Sequence, residues 1–255
     1  MTTSFQNKTV IVAGGFSGIG LATVIHLLDL CEAIHVIDVS DSPPSNFAQD
    51  NVYFYPSVDV SLRESVSQTF KSILARSPHI HGLVNCAGIS PSIATIPEPD
   101  ATFDRVMAVN CRGTWTLGTE FLRHIQTIHK DGLPTYSTSM VIIGSSASMR
   151  GYRSLAAYTC SKHAVLGLAR AWALEYAQMG VRVNLVAPGS TMTPMFQAQL
   201  ANSGLRNEST LQAVAQIPMA RWAEPSEIAS MIGFLLSDAA SYITGQAIPV
   251  NGGEF

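Results

Sequence analysis

Short runs of β-branched residues alternate with longer helical stretches along the chain, and this alternation narrows the choice of fold more than any other feature. The runs are Thr9–Ala13, Ala33–Asp38, Val52–Val58, Leu83–Cys86, Met140–Gly144, Val181–Val186 and Ala247–Val250. Between them lie Gly18–Leu30, Leu62–Ala75, Phe103–His129, Ala157–Met179 and Pro225–Leu236, all amphipathic or apolar. Such alternation builds βαβ units around a parallel sheet. Several runs are continuously apolar, as strands covered on both faces must be. The expected architecture is one α/β domain over residues 1–255, a doubly wound parallel sheet flanked by helices on both faces. A chain of this length buries about three quarters of its unfolded surface and needs no disulfide or metal staple.

Composition excludes several classes of function. Charged residues make up 13% of the chain and hydrophobic ones 47%, which rules out disorder and leaves surface for partner subunits. A net charge of −3 provides no electrostatic footprint for nucleic acid. No apolar run reaches the roughly eighteen residues of a membrane span. The polar start Met1–Asn7 lacks the basic and then apolar pattern of a secretory signal, so a cytoplasmic protein is expected. Cys31, Cys86, Cys111 and Cys160 form no CxxC and no Cys/His pairing at zinc-ligand spacing. They read as reduced thiols, and no metal site is expected. Ser40–Asp50, Ser90–Asp100, His129–Ser139 and Pro188–Ala223 read as loops, the last long enough to carry function.

The first strand runs into Ala13-Gly14-Gly15-Phe16-Ser17-Gly18-Ile19-Gly20, where a helical pattern starts. Glycines there let the backbone turn tightly and approach a pyrophosphate at the positive helix N-terminus. A purely structural glycine turn is spelled the same way. Asp38 ends the second strand, where a carboxylate accepts both hydroxyls of an adenosine ribose and repels a 2′-phosphate. No Lys or Arg stands at Phe16, Ser17, Val39 or Ser40 to offset that repulsion, so NAD(H) is preferred over NADP(H). In Tyr158-Thr159-Cys160-Ser161-Lys162 the phenol and the ammonium share one helix face. A cation about 4 Å away would lower a phenol's pKa by roughly three from its usual value, into the range of a general acid or base. Ser145 follows the apolar strand Met140–Ile143, at the end where the ligand crevice of a parallel sheet opens. Its hydroxyl can hydrogen-bond a carbonyl or alcohol oxygen.

Gly14-x-x-x-Gly18-Ile19-Gly20, Asn85-Cys86-Ala87-Gly88, Asn110, Ser145, Tyr158-x-x-x-Lys162 and Pro188-Gly189-x-x-x-Thr193 stand in the order of the short-chain dehydrogenase/reductase family. The chain resembles that family from Thr9 to Gly253. The resemblance implies a Rossmann-type fold with Tyr158 as proton donor and acceptor. Lys162 would lower its pKa and hold the nicotinamide ribose, Ser145 would orient the substrate oxygen, and Asn110 would hold a water linking Lys162 to solvent. Gly14, Ser17, Gly18, Ile19 and Gly20 look like the pyrophosphate turn, and Asp59-Val60 like the adenine contact. Asn85, Ala87 and Gly88 would line the cofactor cleft, while Pro188, Gly189, Thr191 and Thr193 would hold the nicotinamide. Ala13, Cys86, Thr191 and Asn251 depart from the usual family residues, all outside the catalytic tetrad.

The function these residues imply is an NAD(H)-dependent oxidoreductase interconverting a secondary alcohol and a ketone. An isomerase or cyclase without net redox turnover, or a binding module on the same scaffold, remains an alternative, because fold alone does not separate them. From Ser190 to Leu205 the chain carries Met192, Met195, Phe196, Leu200 and Leu205 but no Lys or Arg. With Met149, Tyr152 and Leu155 ahead of the tyrosine helix, this predicts a roomy apolar pocket. Ser145, Met149, Tyr152, Leu155, Tyr158, Met192, Met195 and Phe196 are the candidate substrate contacts, for a neutral lipophilic alcohol or ketone. The low charge and the apolar positions Ala164, Leu168, Ala171 and Trp172 argue for a homo-oligomer, a tetramer ahead of a dimer. The C-terminal aromatic Phe255 is placed to reach a neighbouring subunit.

Overall fold

Strand β1 (Thr9–Ala13) is buried along its whole length, so alternate side chains enter two different cores. Val10 and Val12 join Val24 and Leu27 of α1 (Gly18–Leu27) and Ile228 and Ile232 of α7 (Pro225–Leu236). Ile11 and Ala13 join Phe70 of α2 (Arg63–Arg76), Phe121 of α4 (Gly113–Ile128) and Val165 of α5 (Ala156–Tyr176) on the other face. The computed structural model describes residues 7–45, 49–91, 96–128, 137–202 and 214–254.

The other strands are β2 (Ala33–Ile37), β3 (Val52–Tyr55), β4 (Gly82–Asn85), β5 (Thr138–Ile143), β6 (Val181–Pro188) and β7 (Ala247–Val250). All pair in parallel, in the order β3-β2-β1-β4-β5-β6-β7. The expected doubly wound sheet is therefore present, with helices on both faces. The strand order reverses direction at β1, which has β2 on one side and β4 on the other. Chains leaving β1 and β4 diverge there, opening a crevice at the C-terminal ends of the strands.

Two expectations need correction. Phe103–His129 is not one α-helix: α3 (Asp100–Val106) passes into a π-helical segment, Met107–Arg112, before α4 begins. A 3.6-residue pattern does not register the extra residue of a π turn, and such turns are frequent at functional sites. Pro188–Ala223 is not loop throughout, since α6 (Pro194–Asn202) lies inside it. Thr193 starts α6 by accepting the Phe196 N–H at 3.2 Å, and a bridge between Thr191 and Ala223 draws the segment's ends together. Leu205, His129 and Phe255 lie outside the described residues.

Candidate active site

At the end of β1 the chain must turn within a few ångströms of β4. Gly14 has φ of +73°, and a Cβ on it would sit 2.7 Å from the Ala87 nitrogen. Gly20 packs so closely that a Cβ would overlap the Gly14 carbonyl oxygen. Only glycine fits either place. Ser17 is the N-cap of α1 but makes no side-chain cap, and the first turn holds no acidic residue. The leading N–H groups of α1 are thus left to a ligand, and an anion suits them. Phe16 is buried and meets Phe54 edge-on at 5.6 Å, which anchors the turn to the core.

Asp38 is buried at the end of β2, its carboxylate held from both sides. The Phe16 N–H donates to Oδ2 at 2.9 Å and the Ser40 N–H to Oδ1 at 3.0 Å. Asp59 takes the Ser61 hydroxyl at 2.6 Å and its N–H at 2.9 Å, with Arg105 at 3.9 Å. The Ser61 hydroxyl, more than any other contact, holds the Asp59 carboxyl below its ordinary pKa. Asp38, Val39, Asp59, Val60 and Arg105 all line the crevice next to the glycine turn. Glycines that leave no room for a Cβ, an uncapped helix start and a pinned carboxylate fit an adenine dinucleotide.

The reacting end is built where β5 stops. Ser145 caps the short 3-10 turn Ser146–Ser148: its Oγ accepts the Ala147 N–H at 3.1 Å, and Ser148 Oγ accepts the Ser145 N–H at 3.2 Å. That reciprocal pair fixes Ser145 at the rim of the sheet. Tyr158 and Lys162 lie one turn apart on α5, and Ser145 and Tyr158 line the same crevice. Burial pushes the Tyr158 phenol above its ordinary pKa, and the Ser145 hydroxyl pulls it partly back. Lys162 is 6% exposed, and burial lowers its pKa to about 8.

Against expectation the Tyr158 pKa is raised, because burial of the phenol is the leading influence on it. The Lys162 ammonium donates to the Ile143 carbonyl at 2.8 Å and stands 5.5 Å from the centre of the Tyr158 ring. A buried ammonium is costly without an acceptor, and the end of β5 offers one. A neutral phenol is the form that can give up a proton.

Asn110, 1% exposed, lies in the π-helical segment. Its Oδ1 accepts the Ile89 N–H at 2.8 Å, and its Nδ2 donates to the Ile89 carbonyl at 2.9 Å and to Ser161 Oγ at 3.0 Å. Asn85 accepts the Ala87 N–H at 3.1 Å and donates to Thr114 Oγ1 at 2.8 Å. Both asparagines brace the cleft from behind and are not part of its lining. Cys86 does line it, with burial pushing its thiol up to about 12, so the sulfur stays protonated.

The crevice has a volume of about 550 Å³. It brings together Gly14, Ser17, Gly18, Ile19, Gly20, Asp38, Asp59, Val60, Ala87, Gly88, Pro188, Gly189, Thr191 and Thr193 with Ser145, Tyr158 and Lys162. Of the expected substrate contacts, Tyr152, Leu155, Met195 and Phe196 line it, whereas Met149 and Met192 do not. Phe196 is propped edge-on against Trp222 at 5.2 Å. The Tyr152 hydroxyl accepts from Arg150 at 2.7 Å and 3.1 Å, and Arg150 is ion-paired to Glu254 at 2.6 Å. Gln199 of α6 donates to Ser90 across the mouth at 2.7 Å. Sequence reasoning passed over Ser90, Arg105, Gln199 and Glu254, whose partners are distant in the chain. Among the described residues, no helix is long and apolar enough to cross a membrane, and no group of three or more His, Cys, Asp or Glu could hold a metal.

A family model described as enoyl-(acyl carrier protein) reductase matches residues 14–254. Levodione reductase of Leifsonia aquatica is 31% identical over 263 residues, covering 99% of this chain and 96% of its own. The crystal structure of a levodione reductase superposes with a TM-score of 0.87 at 30% identity, covering 98% of each chain. A 3-ketoacyl-(acyl-carrier-protein) reductase from Brucella melitensis, complexed with NADH, gives a TM-score of 0.85 at 25% identity, over 98% of this chain and 99% of that one. ElxO with NADP bound gives 0.85 at 26% identity, over 97% of this chain and 98% of that one.

Proposed function

This chain belongs to the short-chain dehydrogenase/reductase family, and from that premise we propose that it interconverts a secondary alcohol and a ketone on a neutral, lipophilic small molecule, preferring NAD(H) to NADP(H). It is an oxidoreductase acting on CH–OH groups, and its structural neighbours bind nicotinamide dinucleotides of both kinds. The observation that carries the reading is the meeting of Ser145, Tyr158 and a buried Lys162 in the same crevice as the glycine turn.

A bound nicotinamide supplies or takes up the hydride. Ser145 hydrogen-bonds the substrate oxygen. Tyr158 gives its phenolic proton to that oxygen on reduction and recovers it on oxidation. Lys162, cationic below a pH of about 8, offsets the negative charge that this leaves on the phenol oxygen.

The cofactor preference is supported by Asp38, whose held carboxylate lies where a 2′-phosphate would be repelled. Arg105 and Lys162 are the only cations among the described residues lining the crevice. Arg105 lies beside Asp59, and Lys162 beside the reacting tyrosine. The substrate side therefore has no cation of its own for an anionic group, and Tyr152, Leu155, Met195 and Phe196 make it apolar. Four free cysteines support a reducing compartment such as the cytoplasm. A homotetramer is supported by apolar side chains with no cover in one chain: Leu174 is 84% exposed, and Trp115 packs on Trp172 yet stays exposed.

NADH absorbance followed with neutral and anionic ketones tests the reaction. One NADH should be consumed per ketone, with neutral substrates preferred; turnover without NADH loss, or a preference for anions, overturns the reading. NADH should bind more tightly than NADPH, and Asp38→Ala should narrow that gap. Light scattering should give a mass well above the 27.3 kDa of one chain.

A further inference from the structure

Tyr158 is the third residue of α5, and its place depends on how the first turn is held. The leading N–H groups of a helix have no partner inside it. Leu155, the N-cap, brings no side-chain acceptor, and the first turn has no acidic residue. The acceptor comes from far upstream: Glu98 Oε2 takes the Ala157 N–H at 2.7 Å, across 59 residues of sequence. Glu98 Oε1 is also buried and has no hydrogen-bond partner among the described residues. A carboxylate oxygen buried in that state is expensive, and no neighbouring cation offsets it by an ion pair among those described. Through Oε2 the carboxylate is seated at the positive end of a helix 21 residues long.

The next link in the same segment repeats the pattern. Glu98 stands just before α3, which leads into the π-helical stretch, where Asn110 bonds to Ser161 Oγ at 3.0 Å. The segment from Glu98 to Asn110 thus grips α5 at Ala157 and again at Ser161. Tyr158 lies between the two grips.

We propose that Glu98 is a positioning residue for the reaction. Its carboxylate clamps the first turn of α5 and so holds the Tyr158 hydroxyl against Ser145. The proposal rests on the reading of Tyr158 as the proton donor and acceptor.

The test compares Glu98→Ala, Glu98→Gln and Gly180→Ala with the wild type. Gly180 caps the 3-10 turn Ala177–Met179 that continues the far end of α5, with φ of +71°, so an alanine there strains that end without approaching Tyr158. Two quantities are read: amide hydrogen exchange at residues 157–162, and kcat and KM for cyclohexanone reduction with NADH. Glu98→Ala should speed exchange at those amides at least tenfold and lower kcat about tenfold, with KM and the NADH Kd within twofold. Glu98→Gln keeps an acceptor and should recover most of both losses. Gly180→Ala should lower the melting temperature while leaving kcat and the exchange of residues 157–162 unchanged. Unchanged exchange in Glu98→Ala overturns the proposal, and so does an equal fall of kcat in Gly180→Ala. Exchange needs no substrate, so it decides even if the wild type fails to reduce cyclohexanone, a result that would count against the proposed reaction alone.

Discussion

On the cofactor side of the crevice, shape is set by backbone. Gly14 and Gly20 leave no room for a Cβ, α1 presents bare N–H groups, and Asp38 is held by the main chain at Phe16 and Ser40. On the substrate side, shape is set by side chains that meet across the sequence. Gln199 reaches Ser90 over 109 residues, and Arg150 reaches Glu254 over 104. The first kind of wall accepts one ligand geometry. The second can be re-cut by exchanging a few side chains while the fold stays as it is. A change on the cofactor side should therefore disable the enzyme toward every substrate, and a change on the substrate side should alter which substrate it takes.

The largest effect is expected where the two sides meet. Tyr158→Phe keeps the ring and removes the transferable proton, so turnover should fall by about 10²–10⁴-fold. NADH binding, read by fluorescence titration, should stay within a factor of two. If NADH binding collapsed as well, Tyr158 would be a cofactor contact first and a proton donor second, and the division between the sides would fail at its centre.

Next comes the backbone wall. Gly14→Ala adds a Cβ 2.7 Å from the Ala87 nitrogen at a φ of +73°. Left-handed backbone costs a non-glycine residue roughly 1–2 kcal/mol, and the overlap adds to it. The Kd for NADH should rise at least about tenfold, equally for assays with any ketone. A loss that varied with the ketone would mean that the turn also shapes the substrate site.

This division also explains what the sequence discloses. The glycine turn, Asp38 and the Tyr158/Lys162 pair are local patterns, in which a few residues at fixed spacing determine where a backbone turns or which face a side chain takes. The strands were legible for the same reason, since burial on both faces leaves a continuous apolar run. The π turn around Asn110 was not, because one extra residue per turn scarcely disturbs the apolar period. Nor were the contacts of Glu98, Gln199 and Glu254, whose partners only the fold brings near. Met149 and Met192 show the reverse error: both are apolar and adjacent in sequence to the site, yet neither lines the crevice.

A pH profile probes the boundary from the charge side. Lys162 has its pKa lowered to about 8 by burial, so it is cationic below that pH and loses its charge above. Ketone reduction, which leaves negative charge on Tyr158, should be steady below pH 8 and fall as the pH rises through it, by up to about tenfold per unit. Stability should move the other way. An unfolded lysine titrates near 10.4, so between about pH 8 and 10 the unfolded chain binds a proton that the fold does not. The contribution of Lys162 to unfolding free energy therefore rises with pH over that window. Lys162→Met should abolish this part of the rise in denaturant titrations, and an unchanged slope would mean that the buried ammonium is better solvated than its surroundings imply.

The smallest effect is expected at the substrate rim, from Gln199→Ala. The Gln199–Ser90 bond ties α6 to the loop after β4 across the mouth of the crevice. Both residues are only partly buried, so water replaces the bond when it is lost, and a neutral hydrogen bond of this kind contributes about 1 kcal/mol. The substitution leaves Tyr158, Ser145 and the glycine turn untouched, so neither the chemical step nor NADH affinity should change. What changes is how firmly α6 holds Met195 and Phe196 over the substrate. KM should rise about twofold to fivefold, more for bulky ketones that lean on α6 than for small ones, with kcat preserved. A uniform rise for every ketone would show the bond to be a simple latch on the lid. A fall in kcat or in NADH affinity would show that the two sides of the crevice are coupled through α6, and the contrast between them would no longer hold.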